Sequence, residues 1–223
     1  MKVIETRTIA DAHQKLVEYV YWNGIRMVTE DGQVCIEAEP VTVTIHQPIG
    51  LDSEMVHKNS PSGIKKCVEY VNQIFEGAEG FEYTYHERLF AYQGQYNQIL
   101  DIINHLNEER MTRRAVAITW YPWKDPVTQH VPCLQFLQFK VRKQKFGFLH
   151  WLLGHKPKLD MYLFFRSEDV LGAFGSNAVG LASLQSVIAH ETGCEVGKYE
   201  HIVTIPHFYP KTNAQELKRM ILC

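Results

Sequence analysis

Cys133 is the one cysteine of five that keeps chemical company: Pro132 precedes it, and Arg166-Ser167-Glu168-Asp169, Asn177 and His207-Phe208-Tyr209 follow in that order. The types are a nucleophile, a fork of donors with a hydroxyl, an amide, and two amphipathic rings. A free thiol is only slightly ionised at neutral pH, and a guanidinium nearby favours the thiolate; Arg166 is the candidate. Arg166 with Ser167 suits a phosphate dianion. Arg113-Arg114 forms a second such pair, and two arginine sites could converge on one phosphate across a subunit boundary. Asn177 reads either as a helix cap or as a base reader, since an amide both donates and accepts and so fits the N3–H and O4 edge of uracil. His207 and Tyr209 share a face if they lie on a strand, where they could grip a sugar hydroxyl. Together these residues describe a site that holds a nucleotide and attacks it with a thiolate. Each has a plainer reading: a small buried hydrophobe for Cys133, a solvated strand end for Arg113-Arg114, a half-buried strand for His207 and Tyr209.

Something must position these groups. Ile9, Ala12, Leu16 and Val20 recur at helical spacing within a helix from Thr8 to Tyr21, with Thr8 or Asp11 near the cap. Ile25 to Glu37 reads as a hairpin turning at Asp31-Gly32, and Val41 to Ile45 alternates as a strand. Pro48 to Gly63 is rich in turn residues and reads as a loop. Helices follow at Ile64 to Phe75, stopped by Gly77, and at Tyr96 to Leu106. Strands are expected at Arg114 to Trp120, Cys133 to Val141, Leu159 to Phe165 and Val196 to Ile205. An apolar helix from Asn177 to Glu191 and a last helix from Asn213 to Leu222 complete the pattern. The class is α+β, a mixed sheet with flanking helices in a single domain over residues 1–223. Residues 142–158 interrupt two strands that a short turn could join. Their apolar middle, Phe146 to Leu153, reads as a loop folded on its own surface, or as a cover or contact.

Composition narrows the classes. The 223 residues suffice for one domain with a sizeable core. A net charge of −2 offers no basic field for nucleic acid. No apolar run is long enough to span a bilayer. The scattered cysteines form no CxxC pair, so neither a disulfide framework nor a metal site is expected, and the setting expected is cytoplasmic.

Pro132-Cys133, Gln138-Phe139, Arg166-Ser167-x-Asp169-Val170, Leu171-Gly172, Asn177 and His207-Phe208-Tyr209 resemble the core motifs of the thymidylate synthases and pyrimidine nucleotide hydroxymethylases. Arg113-Arg114 and Phe81 to Leu89 with Tyr85 extend the likeness, and the length resembles the compact archaeal branch. The resemblance implies a homodimer whose sheets pack back to back. It implies dUMP as substrate and 5,10-methylene-tetrahydrofolate or a related reduced pterin as cofactor. Cys133 would add to C6 of the pyrimidine, making C5 a carbon nucleophile. Asp169 would help position the pterin, and Tyr85 would join a proton network near C5. Arg166 and Ser167 would hold phosphate, with Arg113 and Arg114 from the other subunit; Asn177 would read the base, and His207 with Tyr209 the 3′-hydroxyl.

The departures fall mostly on the cofactor side. Leu134 and Phe165 stand where the family usually has His and Gln, and Ile205-Pro206 where it has Gly-Asp. The segment that closes over folate in long members is not expected here, nor is an N-terminal phosphate arginine. Glu69 lies within about one residue of the expected general base. Reductive methylation of dUMP is the leading expectation. 5-Hydroxymethylation of dUMP, dCMP or CMP is the alternative, and a non-catalytic nucleotide-binding dimer the third.

Overall fold

Period-two and period-3.6 patterns carry most of the elements into the structure, a computed structural model that describes residues 1–142 and 156–222. It opens on a strand the pattern did not announce, β1 (Lys2–Thr6), followed by α1 (Ile9–Asn23). Thr8 is the cap of α1: its hydroxyl accepts from the Asp11 N–H at 3.2 Å. β2 (Ile25–Val28) and β3 (Val34–Glu37) make the expected hairpin, and β4 (Val41–Ile45) follows. Gly32 takes φ +76 in the turn, a conformation that costs glycine nothing. The stretch read as a loop holds one helical turn, α2 (Asp52–Met55). Then come α3 (Gly63–Glu76), an unforeseen α4 (Tyr85–Phe90), α5 (Gln98–Glu108) and β5 (Val116–Ile118). The remaining elements are β6 (Leu134–Arg142), β7 (Lys158–Phe165), β8 (Glu168–Asp169), α6 (Phe174–Glu191), β9 (Glu195–Val203), β10 (Pro206–Phe208) and α7 (Ala214–Ile221).

Two differences from the expected pattern have local causes. β5 is shorter than Arg114 to Trp120 because it is an edge strand. Gln98 of α5 covers its free edge, accepting from the Ile118 N–H at 3.1 Å and donating to the Ile118 carbonyl at 2.7 Å. The helix expected from Asn177 begins one turn earlier, at Phe174, with Ala173 at the cap. Asn177 therefore does no capping, and its amide is available for other work.

The strands form a six-stranded sheet in the order β1-β4-β9-β7-β6-β5 and a four-stranded sheet in the order β2-β3-β10-β8. Leu159, Met161, Leu163 and Phe165 of β7 are buried on the face that carries α6, together with Leu137, Phe139 and Val141 of β6. The opposite face carries Phe136, Gln138, Tyr162, Phe164, Glu200 and Ile202, all half-buried.

Two pairings position the motif residues. β6 and β7 are antiparallel with Leu134 opposite Phe165, so the residue before β6 and the residue after β7 are neighbours. β8 and β10 are parallel with Asp169 opposite His207. The apolar segment from Phe146 to Leu153 lies outside the described residues. Its anchors, Arg142 and Lys158, are at the far end of the β6/β7 ladder from Cys133, about 30 Å away at the usual strand rise.

α3 packs closely on α6 where α6 presents Gly180. A methyl group there would lie 2.6 Å from Ile74 Cδ1 and 2.9 Å from Tyr70 Cδ1. Gly180→Ala is expected to destabilise the fold by roughly 1–3 kcal/mol through overpacking. Urea unfolding would show this as a lower midpoint with an unchanged slope.

Candidate active site

The ends of β6 and β7 create the centre of the site. The Arg166 N–H donates to the Cys133 carbonyl at 2.9 Å. The Arg166 guanidinium donates from Nε to the Pro132 carbonyl at 2.9 Å and from Nη2 to the Val131 carbonyl at 3.0 Å. The same Nη2 lies 3.9 Å from Cys133 Sγ. The charge is thus tied to the backbone that carries the thiol, and its remaining N–H groups, unpartnered among the described residues, can take an anion. Burial pushes the Cys133 thiol above its ordinary range; Arg166 opposes this and Glu168 reinforces it.

Around this centre is a cavity of about 460 Å³, whose described lining includes Cys133, Arg166, Ser167, Asp169, Asn177, His207 and Tyr209. Ser167 Oγ and His207 Nδ1 are 3.5 Å apart, and the rings of His207 and Tyr209 meet edge to face at 5.3 Å. Asp169 Oδ1 accepts from the N–H groups of Leu171 at 3.2 Å and Gly172 at 3.0 Å. Burial raises the Asp169 carboxyl from its usual range, although these bonds and His207 pull the other way. Gly172 has no room for a side chain, because a methyl group would lie 2.5 Å from Asp169 Oδ2. Asn177 Nδ2 donates to Glu168 Oε1 at 2.9 Å.

A second cavity of about 490 Å³ adjoins the first, sharing Tyr83 and His130 with it. Tyr70, Phe81, Tyr83 and Tyr85 line it. The Tyr85 hydroxyl accepts from the Leu134 N–H at 3.1 Å, next to the thiol. Burial raises the phenols of Tyr70, Tyr83 and Tyr85, which keeps them as neutral donors.

The thymidylate synthase family model matches residues 57–221. A protein of Methanocaldococcus jannaschii bearing the name "Putative thymidylate synthase" is 33% identical over 98% of this chain and 96% of its own length. A protein of the same name from Methanothermobacter thermautotrophicus is 32% identical over 98% of this chain and 97% of its own. The chain belongs to the thymidylate synthase family.

Of the residues this family pattern singled out, the structure gathers Cys133, Arg166, Ser167, Asp169, Asn177, His207 and Tyr209 in one cavity and Tyr85 in its neighbour. It does not bring Glu69 there. Glu69 is exposed on α3 and pairs with Lys65 at 3.9 Å. The inward stripe of α3 is Cys67, Tyr70, Val71 and Ile74, and Glu69 falls off that stripe by helical geometry. Tyr70 lines the site in its place. Arg113 and Arg114 are exposed and do not line this cavity. The Arg113 carbonyl accepts from Gln138 Nε2 at 3.1 Å, beside the open face of the large sheet.

Sequence reasoning missed Glu168 and the hairpin residues Glu30 and Asp31 of the first cavity, Tyr70 of the second, and Tyr83, which lines both. The periodicity of α3 was the signal for Tyr70. For Glu168 it was a second carboxylate beside Asp169 in the strand-to-helix link.

Thiolate is the alkylated form, so its fraction sets the rate. In the folded chain, iodoacetamide should modify Cys133 more slowly at pH 8 than in the urea-unfolded chain, with the rate climbing as pH rises past the ordinary thiol range. Arg166→Gln removes the opposing charge and should slow modification further, by about tenfold. Peptide mass mapping of Cys133 reads both effects.

Proposed function

We propose that the chain transfers a one-carbon unit to C5 of dUMP, giving dTMP by reductive methylation. The observation that supports this is the convergence of Cys133, Arg166, Ser167, Asn177, His207 and Tyr209 on one cavity, with the thiol 3.9 Å from a guanidinium nitrogen. The Cys133 thiolate adds to C6 of uracil, and the C5–C6 π electrons move to C5 and O4. The Asn177 amide donates to O4, where charge builds, and accepts from N3–H. Arg166 and Ser167 hold the phosphate, and His207 with Tyr209 the 3′-hydroxyl. Tyr85 keeps a hydroxyl proton within the network beside the thiol; C5 forms the new carbon–carbon bond and loses its proton, and the sulfur leaves as the C5–C6 double bond re-forms.

5,10-Methylene-tetrahydrofolate, or a related reduced pterin, supplies the one-carbon unit and the hydride of the methyl product. The neighbouring cavity, lined by Tyr70, Phe81, Tyr83 and Tyr85, offers aromatic surface for a flat ring system, and in this reading Asp169 of the first cavity orients the pterin.

The functional unit in this reading is a homodimer joined through the open face of the large sheet. Charge supports it. Among the described lining residues, Glu30, Asp31, Glu37, Glu168 and Asp169 are carboxylic and Arg166 is the one arginine, a poor balance for a phosphate dianion. Arg113 and Arg114 stand at the edge of the open face, where a second copy would carry them to its partner's phosphate. Residues 1–223 form one domain in this reading, supported by a single core cluster that includes Ile4 and Met220. Among the described residues no helix is long and apolar enough to cross a membrane.

Incubation with dUMP and methylene-tetrahydrofolate should yield a nucleotide heavier by a methyl group. A hydroxymethyl gain would move the assignment to 5-hydroxymethylation. The chain should also exchange the C5 hydrogen of dUMP with solvent, and Cys133→Ala should abolish this; no product and no exchange would reject the chemistry. Separately, a mixture of Cys133→Ala with the Arg113→Ala/Arg114→Ala double variant should recover activity that neither has alone, since a mixed dimer contains one intact site. Failure to recover would remove the arginines from a shared site.

A further inference from the structure

Beneath the base-reading amide lies a buried polar chain that the proposed chemistry does not use. Glu168 and His201 have fully buried side chains, with Glu168 Oε2 2.5 Å from His201 Nε2. Neither of these two atoms makes a hydrogen bond among the described residues. His201 Nδ1 lies 3.0 Å from the Tyr199 hydroxyl. Phe165 stacks on the imidazole at 4.3 Å, and Phe174 lies against it at 5.2 Å, which fixes the ring plane. At the other end, Glu168 Oε1 accepts from Asn177 Nδ2.

An amide has two orientations that differ by exchange of its oxygen and nitrogen. In one it reads uracil, through a donor for O4 and an acceptor for N3–H. In the other it reads cytosine, through an acceptor for the N4 amine and a donor for N3. A carboxylate oxygen only accepts, so Glu168 Oε1 compels Asn177 to turn Nδ2 toward it. A proton on Oε1 would reverse that demand. Oε2 faces His201 Nε2, which leaves Oε1 to Asn177, and the Tyr199 hydroxyl lies against the other imidazole nitrogen. We infer that the Tyr199–His201–Glu168 chain is a positioning device that locks the orientation of the Asn177 amide and thereby sets the preference for uracil over cytosine nucleotides. This rests on Asn177 reading the base, as proposed above, and extends that reading to the buried groups behind the amide.

The test uses the full chain and two near-isosteric variants, Glu168→Gln and Tyr199→Phe, with dUMP and dCMP affinities measured by calorimetry and folding by thermal melts. The wild-type chain should prefer dUMP. In Glu168→Gln, the new amide can donate to Asn177 Oδ1 and stabilise the reversed orientation. The ratio of dUMP to dCMP affinity should then fall by about tenfold, the scale of a buried polar mismatch. Tyr199→Phe should move the ratio the same way by a smaller factor. A purely structural role would weaken both nucleotides together and leave the ratio unchanged; that result in the folded variants overturns the inference. If Glu168→Gln fails to fold, Tyr199→Phe decides alone. A wild-type chain that binds neither nucleotide sinks the functional reading and this one with it. One that prefers dUMP while the variants keep that preference sinks this one only.

Discussion

The antiparallel pairing of β6 with β7 is the constraint on which the site depends. It sets the residue before one strand against the residue after the other, so Cys133 and Arg166 meet although 33 positions separate them. Two hydrogen bonds, to the carbonyls of Val131 and Pro132, then fasten the Arg166 guanidinium to the segment that presents the thiol, and the Arg166 N–H ties its own backbone to the Cys133 carbonyl. A surface arginine would lose rotamer entropy to hold such a position; here backbone acceptors hold it. The shorter parallel pairing of β8 with β10 does for Asp169 and His207 what the first does for the thiol. The chemistry is therefore written at strand ends, where side chains leave the sheet while their backbones remain fixed by it.

Burial acts on the titratable groups of the site in one direction. It raises Cys133, Asp169 and the three tyrosines alike. A resting site of this kind holds its protons: the thiol leans toward its neutral form, and the phenols surround it with donors that carry no charge. Arg166 opposes that tendency at the thiol.

Much of this was legible in the sequence, and the exceptions are instructive. α1, β4 and the β6/β7 pair announce themselves because each has a buried face and hence a period; the hairpin, whose β2 is exposed throughout, is announced by its Asp31-Gly32 turn. β1 is a short edge strand with Lys2, Val3 and Glu5 outward, too little pattern to separate from a tail. α4 is six residues long, shorter than the windows in which helical spacing becomes visible. The motif order found the residues that line the first cavity because one residue type per role was enough. Glu69 failed to reach the site for the opposite reason: it was placed by its distance along the chain, whereas the stripe of Cys67, Tyr70, Val71 and Ile74 decides which side of α3 faces inward. Glu168 went unremarked because a carboxylate in a link between elements usually faces solvent. Its partner His201 lies on β9, and only the fold brings them together.

The unequal charge of the cavity ties the proposed chemistry to assembly. A phosphate brought to Arg166 competes for the charge that favours the thiolate, so substrate binding in an isolated protomer would push the thiol toward its neutral form just when it must attack. Added cations from a second copy would neutralise the phosphate and leave Arg166 to act on sulfur. On the dimeric reading, Arg113 and Arg114 thus contribute twice, to affinity for the nucleotide and to the reactivity of a thiol they do not touch. The five carboxylic groups along the described lining make that contribution larger, since each raises the electrostatic cost of an unassisted dianion.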